Sequence, residues 1–204
     1  MASLKSWLIG LVFIASIGAG VRECVHSRWV VTPPVAGEPL QEMMTGVAPF
    51  EQNGFLLQPV AHFQVRAKLI SWEPYSFGVE SELSPIDYAV GWNRMSEDAV
   101  IQALNMRQGQ RFFTYHWDDA PPIPPDEIIR SAANMHLIPA NSTVEKKLKS
   151  ARRGQHVNLR GVLVDVQGQG SRGGWRWNTS RTREDTGPGA CEVFWVEAVE
   201  IDNG

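Results

Sequence analysis

An imidazole close to a carboxylate can act as a general base, with the carboxylate fixing the ring's tautomer. His136 and Asp87 are the residues of this chain suited to that chemistry. They lie in two segments that mix polar and aromatic residues, Leu83 to Ser96 (LSPIDYAVGWNRMS) and Ser131 to Pro139 (SAANMHLIP), and both segments read as loops. Asp185 is a second carboxylate that could serve His136. The alternative is a satisfied, partly buried histidine between Met135 and Leu137. A third segment, Arg181 to Glu192 (RTREDTGPGACE), runs into the last strand. Gly187 and Gly189 allow backbone conformations that would expose Cys191 as a nucleophile, its pKa lowered by an adjacent arginine. Equally, Cys191 can open a buried strand while the arginines and acids before it pair locally.

The common catalytic and metal signatures are absent. The chain contains no CxxC, HExxH, GxxxxGK[ST] or GxSxG, and its five histidines (26, 62, 116, 136 and 156) have no ligand spacing. No metal and no cofactor is expected, and the balance tips from enzyme toward a binding or assembly module.

Charge is distributed unevenly. Between Lys146 and Arg183 ten basic residues face a single acid, Asp165, a charge of +9, while the rest of the chain carries −12, so the net −3 hides two opposed fields. Lys146, Lys149, Arg152, Arg153, Arg172, Trp175, Arg176 and Arg181 are the candidate binding residues. Such a surface suits anionic lipid headgroups, an acidic glycan or an acidic protein. Tryptophans among arginines also suit single-stranded nucleic acid, but that partner ranks last because a free strand is rare outside the cytosol. The alternative is a solvated lysine face, arginines paired with Glu184, Asp185 and Glu192, and tryptophans in the core.

The elements that must position these residues read as α+β. Ala61, Phe63, Val65, Ala67 and Leu69 alternate with polar neighbours at period two, the pattern of a half-buried antiparallel strand. A helix capped by Ser96 is expected to run to about Met106, and a strand from Gln110 to Trp117. A proline-rich surface link over 120–125 then leads to a helix from Asp126 to about Ala133. Ser142 to Glu145 has capping-box spacing and opens a further helix that Gly154 can end. The last fifty residues read as strands, Val157 to Val166, Trp175 to Ser180 and Cys191 to Ile201, with a glycine-rich connection at 168–174. A small OB-like barrel is one arrangement for that C-terminal part.

Ser6 to Val21 is a run of sixteen uncharged residues between Lys5 and Arg22. As a helix it would reach roughly 24 Å at ~1.5 Å per residue, which spans a ~30 Å hydrocarbon core if the flanking cations snorkel. Residues 1–24 are therefore expected to be a single-pass inner-membrane anchor with the bulk in the periplasm, or a signal cleaved near Gly18-Ala19-Gly20. Residues 25–59 read as a proline-rich tether with a short helix over Pro39 to Met44, and 60–204 as one globular domain. Cys24 and Cys191 could pair in an oxidising compartment.

Three long segments carry a resemblance: SPIDYAVGW at Ser84 to Trp92 followed by Met95-Ser96, SAANMHLIPA at Ser131 to Ala140, and TREDTGPGACEVFWVE at Thr182 to Glu197. Here the chain resembles an uncharacterised family of small bacterial proteins with an amino-terminal membrane segment, from about Val31 to Ile201. Where that family is expected to read Gly-Trp-Gly, this chain has Gly91-Trp92-Asn93. The resemblance implies a membrane-associated bacterial protein and brings no activity with it.

Overall fold

A computed structural model describes residues 28–187 and 189–204, so the anchor or signal over 1–24 and Cys24 lie outside the described residues. The strands are β1 (Leu40–Met43), β2 (Phe50–Gln52), β3 (Phe55–Pro74), β4 (Ile86–Gly91), β5 (Arg107–Gly109), β6 (Phe112–Thr114), β7 (Ala132–Pro139), β8 (His156–Gly168), β9 (Arg176–Trp177) and β10 (Glu192–Asp202). The described α-helices are α1 (Asp98–Ala103), α2 (Pro125–Arg130) and α3 (Ser142–Leu148). The class is α+β and mostly sheet.

The long strand β3 organises the molecule. It pairs antiparallel with β8 from Phe55 to Lys68 and with β4 from Lys68 to Pro74. β4 pairs antiparallel with β7, β7 parallel with β10, and β10 antiparallel with β8. The five strands β3, β4, β7, β10 and β8 thus close into a ring, which leaves no sheet edge along most of their length. β1 and β2 add to β3, and β9 adds to β8, outside that ring.

Alternation then decides what lies inside. Phe63, Val65, Ala67 and Leu69 of β3 share one buried cluster with Tyr88, Met135, Leu159 and Phe194 of the other four strands. Val144, Leu148 and Ala151 from α3 and its exit join this cluster, and the Tyr88 hydroxyl donates to the Leu148 carbonyl. Where β7 and β10 begin, Glu192 is buried and paired with Arg183, whose guanidinium lies 5.0 Å from the Phe63 ring centroid and 5.9 Å from that of Trp92. Part of the outer face is covered as well. Ile70 and Ala89 pack under Met95, Ile101, Leu104 and Ile128 from the segment between β4 and β7.

Several local expectations are corrected. Residues 40–43 form strand β1 on β3 where a helix was expected: four residues cannot offset the cost of helix nucleation, whereas β3 offers ready partners. Ser96 does not cap α1; Glu97 stands there, and the Ser96 hydroxyl accepts from Val35 N–H (2.7 Å) and donates to the Asn93 carbonyl (2.6 Å). The single strand expected over 110–117 is the hairpin β5–β6, turning at Gln110 and Arg111. The two segments read as loops form β4 and β7, which are covered on both faces and so lack the alternation that marks a strand. The N-cap of α3 is Asn141, whose Oδ1 accepts from Thr143 and Val144 N–H (both 3.0 Å). Of the strand expected over 175–180 only β9 forms.

Residues 30–35, within the proline-rich tether, are docked on the barrel. Val30 N–H donates to the Arg153 carbonyl (2.8 Å), the Thr32 hydroxyl donates to the Gly154 carbonyl (2.7 Å), and the buried Lys68 ammonium donates to the Thr32 carbonyl (2.8 Å). Gly154 permits this approach, since a Cβ there would fall 1.9 Å from the Val30 carbonyl oxygen. Asn93 has φ 49°, the left-handed conformation in which glycine is at ease and asparagine is tolerated, and its Oδ1 accepts from Gly37 N–H (3.0 Å).

Candidate functional site

Asp87 on β4 and His136 on β7 stand directly opposite each other in the ladder. Their neighbours Ile86, Tyr88, Met135 and Leu137 belong to the interior cluster, so strand alternation turns Asp87 and His136 to the outer face. His136 Nδ1 lies 2.9 Å from Asp87 Oδ2, and both side chains are almost fully buried. Neither of these two atoms makes a hydrogen bond among the described residues.

The other Asp87 oxygen is held by a residue that sequence reasoning missed. Arg111, at the tip of the β5–β6 hairpin, places Nη1 2.6 Å from Asp87 Oδ1 and Nη2 2.9 Å from the Ser84 carbonyl. Its guanidinium stacks over the Tyr75 ring at 3.8 Å and lies 5.6 Å from the Trp177 ring, while the Tyr75 hydroxyl accepts from Arg111 N–H (2.8 Å). Burial keeps the Tyr75 hydroxyl protonated by pushing its pKa up. Burial, followed by the nearby Asp87 charge, also raises Glu73. Gln110 and Arg111 both have positive φ (52° and 67°), as a two-residue mirror-image turn requires. That turn favours Asn-Gly, so Gln-Arg carries no sequence signal for it.

Chemically, the pair has the parts of a general base and lacks an opening. Trp177 covers the imidazole at 4.5 Å between ring centroids, and Arg111 occupies the carboxylate. Asp185 is not brought to His136; it accepts from the Ser180 hydroxyl (2.7 Å). Asn134 bridges Gln108, the Arg111 carbonyl and the Cys191 sulfur at 2.8, 3.0 and 3.5 Å.

Among the described residues Cys191 has no disulfide partner, and burial pushes its pKa up to about 11, which favours the buried-strand alternative over an activated nucleophile. A group so raised favours its protonated form in the fold, and its contribution to stability is lost as pH rises from about 9 toward 11. At pH 8 the thiolate fraction falls roughly 100-fold below that of an ordinary protein thiol. Cys191 should therefore alkylate about that much more slowly in the native protein than in urea, read by peptide mass spectrometry in a Cys24→Ser background.

The candidate binding residues divide between two ends of β8, a strand whose contour is roughly 40 Å. Lys146 lies on α3, and Lys149, Arg152 and Arg153 lie on its exit, where the Arg153 carbonyl accepts from Val30 N–H. Arg172, Trp175, Arg176 and Arg181 lie on the β8–β10 connection. There Arg172 pairs with Glu82, Arg181 with Asp165 (2.6 Å), and Trp175 packs edge-on against Phe55 at 5.4 Å. Lys149 pairs with Glu145 (2.5 Å). Among the described residues Lys146, Lys147, Arg152 and Arg153 have no carboxylate within ion-pair distance.

Asp87 and His136 line none of the clefts at Trp29 and Arg153, at Phe50 and Trp195, or at Leu40 and Glu197. Among the described residues no group of three His, Cys, Asp or Glu could hold a metal ion, and no helix is long and apolar enough to cross a membrane. Set against known proteins, the chain matches no family model, no curated protein and no solved structure.

Proposed function

We propose that this protein is a membrane-anchored, extracytoplasmic binding or assembly module that meets anionic lipid headgroups with the basic end formed by α3 and its exit. One observation supports the reading: Val30 N–H bonds to the Arg153 carbonyl, so the chain arriving from the apolar leader docks on the exit of α3, at Arg152 and Arg153. If the leader is in the bilayer, those cations face the headgroups. Juxtamembrane cations contribute about 1 kcal/mol each on an anionic surface. The barrel is OB-like in its strand order, with β3 closing on β8 and β7 parallel to β10. Barrels of that kind serve binding, on the outer face of their second and third strands. Here that face is occupied by the chain's own Arg111 and Trp177, which moves the expected contact to the basic end.

Flotation of the full chain with vesicles, phosphatidylcholine alone or with phosphatidylglycerol, tests this by the orientation of the body. Headgroup contact should make the anchored body resist protease in anionic vesicles only. Lys146→Glu with Lys147→Glu and Arg152→Glu should abolish that protection, and Arg172→Glu with Arg176→Glu and Arg181→Glu should leave it. Equal protection in all three proteins would remove the reading.

The 2.9 Å approach of His136 to Asp87 favours a second reading, a hydrolase in which the β5–β6 hairpin and Trp177 move aside. Ester hydrolysis by the native chain that persists in His136→Gln would rule it out. The OB-like order supports a third, nucleic-acid binding, which requires a cytosolic body and an affinity falling steeply with salt.

A further inference from the structure

A cleft of about 570 Å³ lies at the same end of the molecule, between the docked entry segment at Trp29, the chain after α1 (Met106), β5 and Arg153. Its volume is that of a small-molecule site. Arg107, His116 and Arg153 line it and no carboxylate does, so its field has one sign. Arg153 spends Nε on the Ile70 carbonyl (3.0 Å), and its guanidinium lies 5.7 Å from the Trp29 ring, which leaves the two terminal nitrogens for a ligand. Among the described residues the Arg107 guanidinium has no carboxylate partner. Two guanidinium forks beside an indole and a thioether suit an anion with oxygens for bidentate contacts and an apolar portion for the walls.

We infer that this cleft binds one anionic phospholipid, its phosphate held by Arg107 and Arg153 and its glyceryl portion lying against Trp29 and Met106. The inference rests on the membrane reading above, because Trp29 follows the apolar run by only eight residues: at up to ~3.5 Å per residue the cleft lies within about 28 Å of the end of that run. It differs from that reading in kind. A charged face attracts headgroups collectively and without stoichiometry, whereas the cleft takes one molecule.

The test uses the full chain in phosphate-free maltoside micelles, titrated with dihexanoyl phosphatidylglycerol and, separately, with inorganic phosphate. Saturable 1:1 binding of the lipid is expected. It should weaken at least about tenfold in Arg107→Gln, the loss of one charge-assisted contact. His116→Gln, at a second exposed position, should weaken it in the same direction. The variant Lys146→Glu with Lys147→Glu and Arg152→Glu should retain it. Binding that never saturates, or that is indifferent to both Arg107→Gln and His116→Gln, overturns the inference. So does inorganic phosphate binding as tightly as the lipid, since the site would then be for a free anion. Absence of saturable binding while the charge-reversed face still loses its vesicle protection refutes the cleft alone. Saturable, Arg107-dependent binding with no effect of the charge-reversed face refutes the face alone.

Discussion

Replacing Arg183 with alanine should destabilise the protein by about 3 to 5 kcal/mol, the cost of leaving one member of a buried ion pair without its partner. Glu192 is 2 % exposed and closes the mouth of the barrel where β7 and β10 begin, and one of its carboxylate oxygens already lacks a hydrogen bond. Burial raises its pKa, and the Arg183 charge opposes that rise. Without Arg183 the buried carboxylate would keep only its own backbone hydrogen bond against its desolvation. A group with a raised folded pKa stabilises the fold below its unfolded value, and that contribution is lost as pH climbs through the folded value. Arg183→Ala should therefore melt lower at pH 7 than at pH 5 by more than the native protein does. Adding Glu192→Gln should restore much of the loss, because the amide removes the uncompensated charge while keeping its shape. A double variant no more stable than Arg183→Ala would show that the pair does not act through charge. Thermal melts at both pH values read all of these outcomes.

The second large effect is expected at Arg111. Arg111→Ala leaves Asp87 fully buried with only His136 beside it, a loss of about 3 kcal/mol by the same reasoning. It also releases the β5–β6 hairpin, whose tip is held by Arg111 against Asp87, Ser84 and Tyr75. Hydrogen exchange over 107–114 should rise well above that of β4 and β7 in this variant. Arg111→Lys should protect only in part, because an ammonium cannot bond Asp87 Oδ1 and the Ser84 carbonyl through one planar fork. Asp87→Asn should recover stability in the alanine background. Unchanged exchange over 107–114 would mean that other contacts hold the hairpin down.

The sequence disclosed these features unequally, and the reasons are physical. The alternation in β3 was legible because His62, Gln64 and Arg66 meet solvent while Phe63 and Val65 meet the core. β10 was legible as a run apolar on both faces, and α3 from the polar residues at its start. β4 and β7 were not. The ring packs one of their faces on the core, and the other faces lie under the β4–β7 insertion and Trp177, so polar and apolar positions are buried alike. Reading them as loops hid the barrel's true extent, from Phe55 to Asp202, and placed it only at the C-terminus. The pairing of Asp87 with His136 was named from residue type alone; its cause, a register that sets them opposite, needed both strands. Arg111 stayed invisible because its role depends on a turn with no sequence mark. The charge run from Lys146 to Arg183 was plain as composition, but one-dimensional counting could not reveal that a strand divides it in two or that Arg172, Arg181 and Arg183 are neutralised by partners.

In the proposed orientation the α3 end of the barrel, and not the β9 end, meets the bilayer. Spin labels at Lys147→Cys and at Arg176→Cys, each in a Cys24→Ser, Cys191→Ser background of the full chain in phosphatidylglycerol-containing vesicles, measure this directly through relaxation by a nickel-chelating headgroup. The expected result is strong relaxation at 147 and little at 176. Strong relaxation at 176 with none at 147 would contradict the account, as would two labels that both behave as if free in water.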